Sequence, residues 1–180
     1  MNTEDLISLI FEKRKNLFFS GSGGTGKSTT IKKIKQWADN YEKKCSLTAT
    51  TGVAAINISG QTFHRWSGIG LGKGSKEELL SQIKKYKKTV ERWRTTDILV
   101  IDEISMMGAK LFDKVNYIGQ QIRKNFFFPF GGIQLIVSGD MLQLPPVHDD
   151  FCFFSKVWKE CNFQIISFTI PYRFIDKKFY

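Results

Sequence analysis

Short runs of apolar residues recur along the chain and alternate with segments in which apolar residues return every three or four positions. The central runs are nearly continuous in Ile, Leu and Val, which is typical of strands buried on both faces of a parallel sheet. The runs predict five strands, at residues 16–20, 46–49, 98–101, 133–137 and 164–168.

The segments between these runs show helical periodicity. Two apolar stripes repeat at steps of four, three and four, and each predicts one amphipathic helix. Their members are Leu79, Ile83, Tyr86 and Val90 in the first stripe, and Leu111, Val115, Ile118 and Ile122 in the second. Strands that alternate with helices predict an α/β fold in which right-handed crossovers build a parallel sheet. Ligands of such sheets bind at the carboxyl ends of the strands.

A glycine-rich stretch at residues 21–28 follows the first predicted strand and precedes a helical pattern that begins with Ile31 and Ile34. It fits the spacing of a phosphate-binding loop, in which backbone N–H groups and a helix N-terminus surround an anion. Lys27 adds a full positive charge for the outer phosphates, and the Ser28 hydroxyl is the expected Mg²⁺ ligand. The residues predicted to bind the nucleotide are Gly21, Ser22, Gly23, Gly24, Thr25, Gly26, Lys27, Ser28 and Thr29.

Three further candidate residues for the chemistry follow predicted strands. Asp102 can hold the magnesium ion, and the adjacent Glu103 can orient and deprotonate an attacking water. Gln143 lies in the segment after the fourth strand, where Pro145 and Pro146 would stiffen the chain. A neutral amide that both donates and accepts suits contact with a γ-phosphate or with the attacking water.

The composition fits one intracellular domain of 180 residues, with 42% hydrophobic content and a net charge of +10. This charge indicates a polyanionic partner such as nucleic acid, or charge that serves solubility, and composition does not decide between them. No apolar run approaches the roughly 20 residues of a membrane span, so no membrane partner is expected. The three cysteines are far apart in sequence and His64 and His148 lack metal-ligand spacing, which favours free thiols inside a cell.

Several segments admit two readings. Thr51, Phe63 and His64 follow strand-like segments and could contact nucleic acid, with the rings stacking on bases. Alternatively, Phe63 belongs to the core and His64 caps a turn. Residues 73–94 hold eight basic and three acidic side chains, which suits either nucleic acid or a solvated helix face. The aromatic clusters at residues 126–128 and 153–154 are predicted to fill a core or an interface.

These motifs together resemble the first motor domain of the Pif-one (petite integration frequency) family of DNA helicases, which are relatives of RecD. The matching segments run nearly the whole length of the chain, in the family's order. They lie at residues 21–28, 48–55, 60–64, 92–106, 139–147 and 168–174.

The resemblance implies a RecA-like P-loop NTPase core that uses ATP and Mg²⁺ for 5′-to-3′ movement on single-stranded DNA and unwinding of forked duplex DNA. By the same resemblance, Lys27 and Ser28 bind phosphate and magnesium, and Asp102 and Glu103 drive hydrolysis. Gln143 senses the γ-phosphate, Arg173 acts as an arginine finger, and Thr51 and His64 contact DNA. Such helicases are expected in DNA repair, recombination, replication or telomere maintenance. The protein is expected to be intracellular, in the nucleus or a mitochondrion if the source is eukaryotic, and otherwise cytoplasmic or viral.

The resemblance also implies a domain organisation. Residues 1–180 would form the first motor domain, with a small accessory insertion around residues 67–90, and a second motor domain is expected from a longer chain. Phe174 stands where the family pattern has Gln, and no adenine-reading Gln is evident near Asn2 or Glu4. Two alternatives remain open: a P-loop ATPase or kinase that is not a helicase, and a DNA-binding helicase remnant without unwinding activity. No guanine-reading Asn-Lys-x-Asp motif is present, which disfavours a GTPase.

Overall fold

A computed structural model describes residues 2–169 of the chain. Its six strands form one sheet in the order β3-β2-β4-β5-β1-β6, and every neighbouring pair is parallel. The α/β fold expected from the sequence is therefore confirmed. The strands are β1 Leu17–Ser20, β2 Cys45–Ala49, β3 Gln61–Thr62, β4 Ile98–Asp102, β5 Gln134–Gly139 and β6 Gln164–Ser167. The five predicted strands are present within about two residues at each end, whereas β3 was too short to predict.

Helices cover both faces of the sheet. The α-helices are α1 Thr3–Ile7, α2 Lys27–Asn40, α3 Gly52–Asn57, α4 Phe63–Ser67, α5 Lys76–Lys84, α6 Lys87–Thr95, α7 Ala109–Arg123 and α8 Lys156–Glu160. Shorter helical segments are Ser8–Glu12, Ile104–Met106, Pro129–Gly132 and Cys152–Phe154. In the part of the chain that the structure describes, no helix is long and apolar enough to cross a membrane.

The core has two layers, one on each side of the sheet. Leu99 and Ile101 of β4 pack into one apolar cluster, and Ile98 and Val100 pack into the other. This alternation follows from the two-residue side-chain period of a strand. It explains why the run is continuously apolar, because both faces of β4 are covered and all five of its residues are buried.

The stripe predicted as one helix over residues 79–90 is two helices. Helix α5 ends at Lys84, and Tyr86 adopts an extended conformation (φ −112°, ψ 94°) at the N-terminus of α6. Leu79 and Ile83 are buried, but Tyr86 is 61% exposed. The apolar stripe runs without a break through residues 79–90 of the sequence, although the chain turns at Tyr86 between α5 and α6. The second predicted helix is confirmed as α7, with its apolar face buried.

The sequence predicts that the aromatic clusters fill a core or an interface, and the structure excludes the core for four of these side chains. Phe126, Phe127 and Phe128 are 58%, 93% and 60% exposed, and Phe154 is 65% exposed. None of these four side chains is core filler. Residues 126–128 lie in the turn between α7 and β5, where Phe130 takes the buried position instead. Composition alone does not reveal which aromatic residue of a loop faces the core.

Candidate active site

The phosphate loop joins the carboxyl end of β1 to α2. Gly26 is the N-cap of α2 and has a left-handed conformation (φ 94°), which glycine adopts without a steric penalty. Gly21 lies against the backbone of Phe168, and a Cβ at Gly21 would collide with the Phe168 carbonyl oxygen. The loop therefore requires glycine at Gly26 for its turn and at Gly21 for close approach to the chain after β6.

Lys27 reaches back across the loop. Its Nζ donates to the carbonyl oxygens of Gly21 at 2.6 Å and Ser22 at 2.7 Å. Burial lowers the pKa of Lys27, and the nearby carboxylates of Asp102 and Glu103 oppose that shift. The ammonium group thus stands between the loop and the acidic residues, where it can exchange carbonyl partners for phosphate oxygens.

A cleft of 880 Å³ opens over this loop, which is within the usual size range of small-ligand sites. It brings together most of the predicted site: residues 23–29 of the loop, Asp102, Glu103 and Gln143. Another part of its lining is formed by Asn2, Leu6, Trp37, Ile166 and Phe168. Asn2, near which no adenine-reading Gln is evident in the sequence, therefore lines the cleft together with apolar and aromatic groups.

Asp102 ends β4 and is 4% exposed. Its Oδ1 accepts hydrogen bonds from Ser138 Oγ at 2.5 Å and from the Glu103 backbone N–H at 3.0 Å. Burial raises the pKa of this carboxyl group, while these two donors and Lys27 oppose the shift. The donors hold the carboxylate in one orientation, which a metal ligand requires.

A magnesium site at this position would use few protein ligands. Among residues 2–169 no cluster of three or more His, Cys, Asp or Glu side chains is arranged to hold a metal. Mg²⁺ bound with a nucleotide typically takes one or two protein oxygens and completes its shell with phosphates and water. The Ser28 hydroxyl and the oriented Asp102 carboxylate, which line the same cleft, fit that requirement.

Glu103 has an unusual backbone conformation for a residue with a side chain, with φ 56° and ψ 43°. Thr50, which follows β2, stabilises it by donating from Oγ1 to the Glu103 carbonyl oxygen at 2.8 Å. The Thr50 N–H also donates to the Asp102 carbonyl oxygen at 3.1 Å. Burial and the Asp102 charge raise the pKa of the Glu103 carboxyl group. A raised pKa brings a carboxylate closer to the range that suits a general base.

Gln143 lies beside the phosphate loop. Its Nε2 donates to Asp140 Oδ2 at 3.2 Å, and a Cβ built at Gly23 would be 3.9 Å from that nitrogen. The amide is exposed and faces the cleft, so a γ-phosphate on the loop would be near it. Arg173, the predicted arginine finger, lies outside the described residues.

The predicted DNA contacts lie at the same edge of the sheet, after β2 and β3. Thr51 is the N-cap of α3, where its Oγ1 accepts from the Ala54 N–H at 3.2 Å. His64 is half-buried in α4, and burial lowers the pKa of its imidazole, which favours the neutral ring. Phe63 is fully buried and packs against Trp66 with ring centroids 5.9 Å apart. The expectation that Phe63 offers its ring to a base is therefore wrong, because the ring is part of the core.

Three residues of the site were not identified from the sequence. Ser138 orients Asp102, Thr50 holds the Glu103 backbone, and Asp140 accepts from Gln143 and adds negative charge near Lys27. Each follows or ends a predicted strand, which was the available signal. Their partners became clear only once the sheet order placed β4 between β2 and β5.

The chain is similar to known proteins over nearly its whole length. The chain is 44% identical to the ATP-dependent DNA helicase RRM3 of Saccharomyces cerevisiae over 99% of its own length and 26% of that protein. It is 42% identical to the ATP-dependent DNA helicase PIF1 of Xenopus laevis over 92% of the chain and 26% of that relative. The chain thus spans about a quarter of the length of these curated relatives.

Solved structures give the same result for the fold. The Pif1 helicase of Candida albicans superimposes with a TM-score of 0.87 at 44% identity, covering 96% of this chain and 40% of that one. A Bacteroides Pif1 helicase in complex with ADP-AlF3 and single-stranded DNA superimposes with a TM-score of 0.78 at 30% identity, covering 94% and 42%. The fold is therefore that of a RecA-like P-loop NTPase. Residues 3–179 match the PIF1-like helicase family, and the chain belongs to that family.

Proposed function

We propose that this chain is the ATP-hydrolysing motor domain of a DNA helicase that moves 5′ to 3′ along single-stranded DNA. The observation that carries the proposal is the cleft that gathers Lys27, Asp102, Glu103 and Gln143 around one phosphate loop. Relatives named ATP-dependent DNA helicases, and a related structure with ADP-AlF3 and single-stranded DNA, support this choice over a P-loop ATPase of another kind.

In the proposed reaction the triphosphate of ATP lies on the N-terminus of α2, where free N–H groups and the helix dipole favour an anion. Lys27 releases the carbonyl oxygens of Gly21 and Ser22 and contacts the outer phosphates. Ser28 and Asp102 would hold Mg²⁺, which neutralises charge on the phosphate oxygens. Ser138 keeps Asp102 in the orientation that this requires.

Hydrolysis needs a positioned water more than covalent chemistry by the protein. Glu103 would accept a proton from that water, and its raised pKa suits the role. Gln143 would contact the γ-phosphate from the opposite loop, and Arg173 would add positive charge when the cleft closes. The Asp140–Gln143 hydrogen bond supports Gln143 in a position above the loop.

For DNA, we propose that Thr51 and His64 contact a single strand at the carboxyl edge of the sheet, next to the nucleotide. Two related Bacteroides structures hold single-stranded DNA, and another related structure concerns unwinding at forked double-stranded DNA. Both kinds of DNA are therefore proposed substrates of this chain. Residues 67–90 would act as an accessory insertion that helps separate the duplex. A second motor domain would close the cleft from the other side.

We further propose that the protein works inside the cell, in the nucleus or a mitochondrion if the source is eukaryotic. Its three cysteines are free and buried, and burial raises the pKa of each thiol to about 12. Such thiols are mostly protonated and suit a reducing compartment. Roles in DNA repair, recombination or telomere maintenance would follow from unwinding of duplex DNA.

The proposal is tested by ATP binding and hydrolysis with and without an oligothymidylate. Lys27→Ala should abolish ATP binding in calorimetry, because the charge that meets the outer phosphates is lost. Lys32→Ala, at an exposed position on the same helix, is the matched control and should bind as the unmodified chain does. Equal ATP affinity in all three proteins would refute the phosphate-loop assignment. Hydrolysis without any DNA binding would instead support an ATPase that is not a helicase.

A further inference from the structure

The amino-terminal ends of the strands lie on the side of the sheet opposite the nucleotide cleft. Most of the basic residues that adjoin strands are on this side. Because all strands are parallel, the segments before them meet at this edge, which we call the amino edge. It comprises residues 12–16, 41–44, 58–60, 94–97, 123–133 and 160–163. These segments hold eight Lys or Arg residues and four Asp or Glu residues.

The carboxyl edge has the opposite charge pattern. The loops that follow β1, β2, β4, β5 and β6, at residues 21–26, 50–51, 103–108, 140–151 and 168–169, contain four acidic residues and no Lys or Arg. Basic residues next occur in the first turns of the helices, such as Lys27 of α2 and Arg65 of α4. The positive charge beside the strands is therefore concentrated away from the nucleotide. A polyanion bound only at the carboxyl edge of the sheet would not contact these basic residues.

The basic side chains of the amino edge are available for contact. Seven of them are exposed: Lys13, Arg14, Lys15, Lys43, Lys44, Arg94 and Lys124. Only two ion pairs occur within residues 2–169, and neither involves the amino edge. The eighth, Arg123, is structural, because its guanidinium donates to the carbonyl oxygens of Trp93, Arg94, Thr96 and Gly131.

Three consecutive aromatic rings stand among these charges, at Phe126, Phe127 and Phe128. The backbone that carries them is held in place by Gln120, whose Nε2 donates to the carbonyl oxygens of Phe126 at 3.2 Å and Phe128 at 3.3 Å. The Phe130 N–H donates to Asn116 Oδ1 at 2.7 Å and fixes the end of the turn. The exposed rings are thus presented by an ordered turn, and Phe127 is 93% exposed.

We propose that the amino edge is a second binding surface for single-stranded nucleic acid, separate from the strand contact at Thr51 and His64. Bases would stack on the exposed rings of the 126–128 turn, and phosphates would contact Lys124, Arg94 and the basic residues before β1 and β2. Aromatic platforms flanked by cations bind single strands without sequence preference. The exposed basic residues of the amino edge are spread over four segments of the chain. This spacing suits an extended polyanion, which carries one negative charge per nucleotide, better than a compact acidic group. The inference goes beyond the proposed motor function and does not require ATP hydrolysis.

The test measures binding of a fluorescent oligothymidylate to the 180-residue chain by anisotropy over a range of salt concentrations. Phe127→Ala should weaken binding about fivefold or more with an unchanged salt dependence, because stacking releases no counterions. Lys124→Asn should reduce the magnitude of the log–log salt slope by about 0.7, since one phosphate contact is lost. Asparagine tolerates the left-handed conformation of Lys124 (φ 52°), so the turn is retained.

Two matched controls keep the result specific. Phe154→Ala removes another exposed aromatic ring, and Lys32→Gln removes another exposed positive charge. Both residues lie away from the amino edge, so neither substitution should change the affinity for the oligothymidylate. Photocrosslinking with iodouracil oligonucleotides should label residues 126–128 in the unmodified chain. Unchanged binding by Phe127→Ala and Lys124→Asn, with no crosslink in this turn, would overturn the proposal.

A protein interface is the other outcome that would overturn it. If Phe127→Ala converted a self-associating chain into a monomer in sedimentation while DNA affinity stayed constant, the rings would join copies of the chain. Failure of the motor proposal is a separate result, seen as absent ATP hydrolysis. Because the binding assay contains no ATP, the DNA affinities of these variants would still test the amino edge.

Discussion

Asp102 meets two opposing requirements at the scale of a single residue. The charged carboxylate is the proposed metal ligand, yet the side chain is almost fully buried and burial raises its pKa. A carboxyl group whose pKa is higher in the folded than in the unfolded state adds stability while it is protonated. That contribution is fully present below the unfolded pKa and is lost as the pH rises through the folded pKa. At neutral pH the ionised Asp102 therefore costs stability in the absence of a metal ion.

Asp102→Asn should raise the melting temperature of the nucleotide-free chain at pH 7 and abolish magnesium-dependent ATP hydrolysis. The amide has nearly the same shape, and its oxygen can still accept from Ser138 and from the Glu103 N–H. Calorimetric melting at pH 7 and at pH 4 measures the effect, and the difference between the two proteins should shrink at the lower pH. A variant that melts lower than the unmodified chain at pH 7 would show that the buried charge is not a cost.

Glu103 should set the acid limb of the pH–rate profile. Burial and Asp102 raise its pKa, so the base becomes protonated, and the rate falls, at a higher pH than for an ordinary glutamate. Glu103→Gln should lower the turnover number by about 10²–10⁴-fold, because the proton acceptor is lost while the shape is kept. ATP affinity should change little, and the remaining activity should lose the acid limb. Turnover at the unmodified rate would remove Glu103 from the mechanism.

At the scale of the elements, the sheet order assembles the site. Strand β4 lies between β2 and β5, and Ala49 of β2 is in register with Asp102. The loop after β2 can therefore bond to the backbone of Glu103, and the end of β5 can bond to the Asp102 side chain. The loop after β2 also carries Thr51, so a proposed DNA contact and the proposed base are joined through neighbouring residues.

Thr50→Val should lower the turnover number about tenfold, with little change in ATP affinity. The substitution removes the hydroxyl that donates to the Glu103 carbonyl oxygen but keeps the side-chain volume and the Thr50 N–H bond. Without that donor the left-handed conformation of Glu103 loses a support, and the carboxylate is positioned less accurately. Steady-state kinetics with the chain, and with Thr50→Ser as the control that restores the hydroxyl, measure the effect. Equal turnover numbers for the Val and Ser variants would contradict this positioning role.

At the scale of the whole molecule, residues 2–169 form one RecA-like fold around a single sheet. In the proposed mechanism ATP lies between two such domains, whose opening and closing advances the enzyme on the strand. The nucleotide cleft is bounded by residues of a single RecA-like fold. In that mechanism, unwinding would also use a second surface on the other side of the cleft.

The 180-residue chain should bind ATP and single-stranded DNA but should not separate a forked duplex. Its ATP hydrolysis should be slow and little stimulated by DNA, because in the proposed mechanism Arg173 adds its charge only when a second domain closes the cleft. A fluorescently labelled fork with a 5′ tail, incubated with the chain and ATP, measures strand separation. Robust unwinding by a monomer would refute the single-motor interpretation.

The sequence by itself determined the fold class, the phosphate loop and the family. Those features depend on residues that are close along the chain: apolar runs for strands, a glycine-rich turn with Lys27 and Ser28 at fixed spacing, and Asp102 and Glu103 directly after a strand. Local periodicity and spacing follow from backbone geometry, so they can be interpreted without knowing which segments meet.

Only the tertiary structure decided which side chains are partners and which face water. Phe63 is buried at the start of α4, whereas the ring of Phe127 is exposed in the turn after α7, although both residues are phenylalanines. The contacts of Ser138 with Asp102 and of Thr50 with Glu103 join residues 36 and 53 positions apart. Such contacts depend on the order in which the strands pair, and exposure depends on what the neighbouring segments cover. Neither property is encoded in a short stretch of sequence, because both arise from packing between distant parts of the chain.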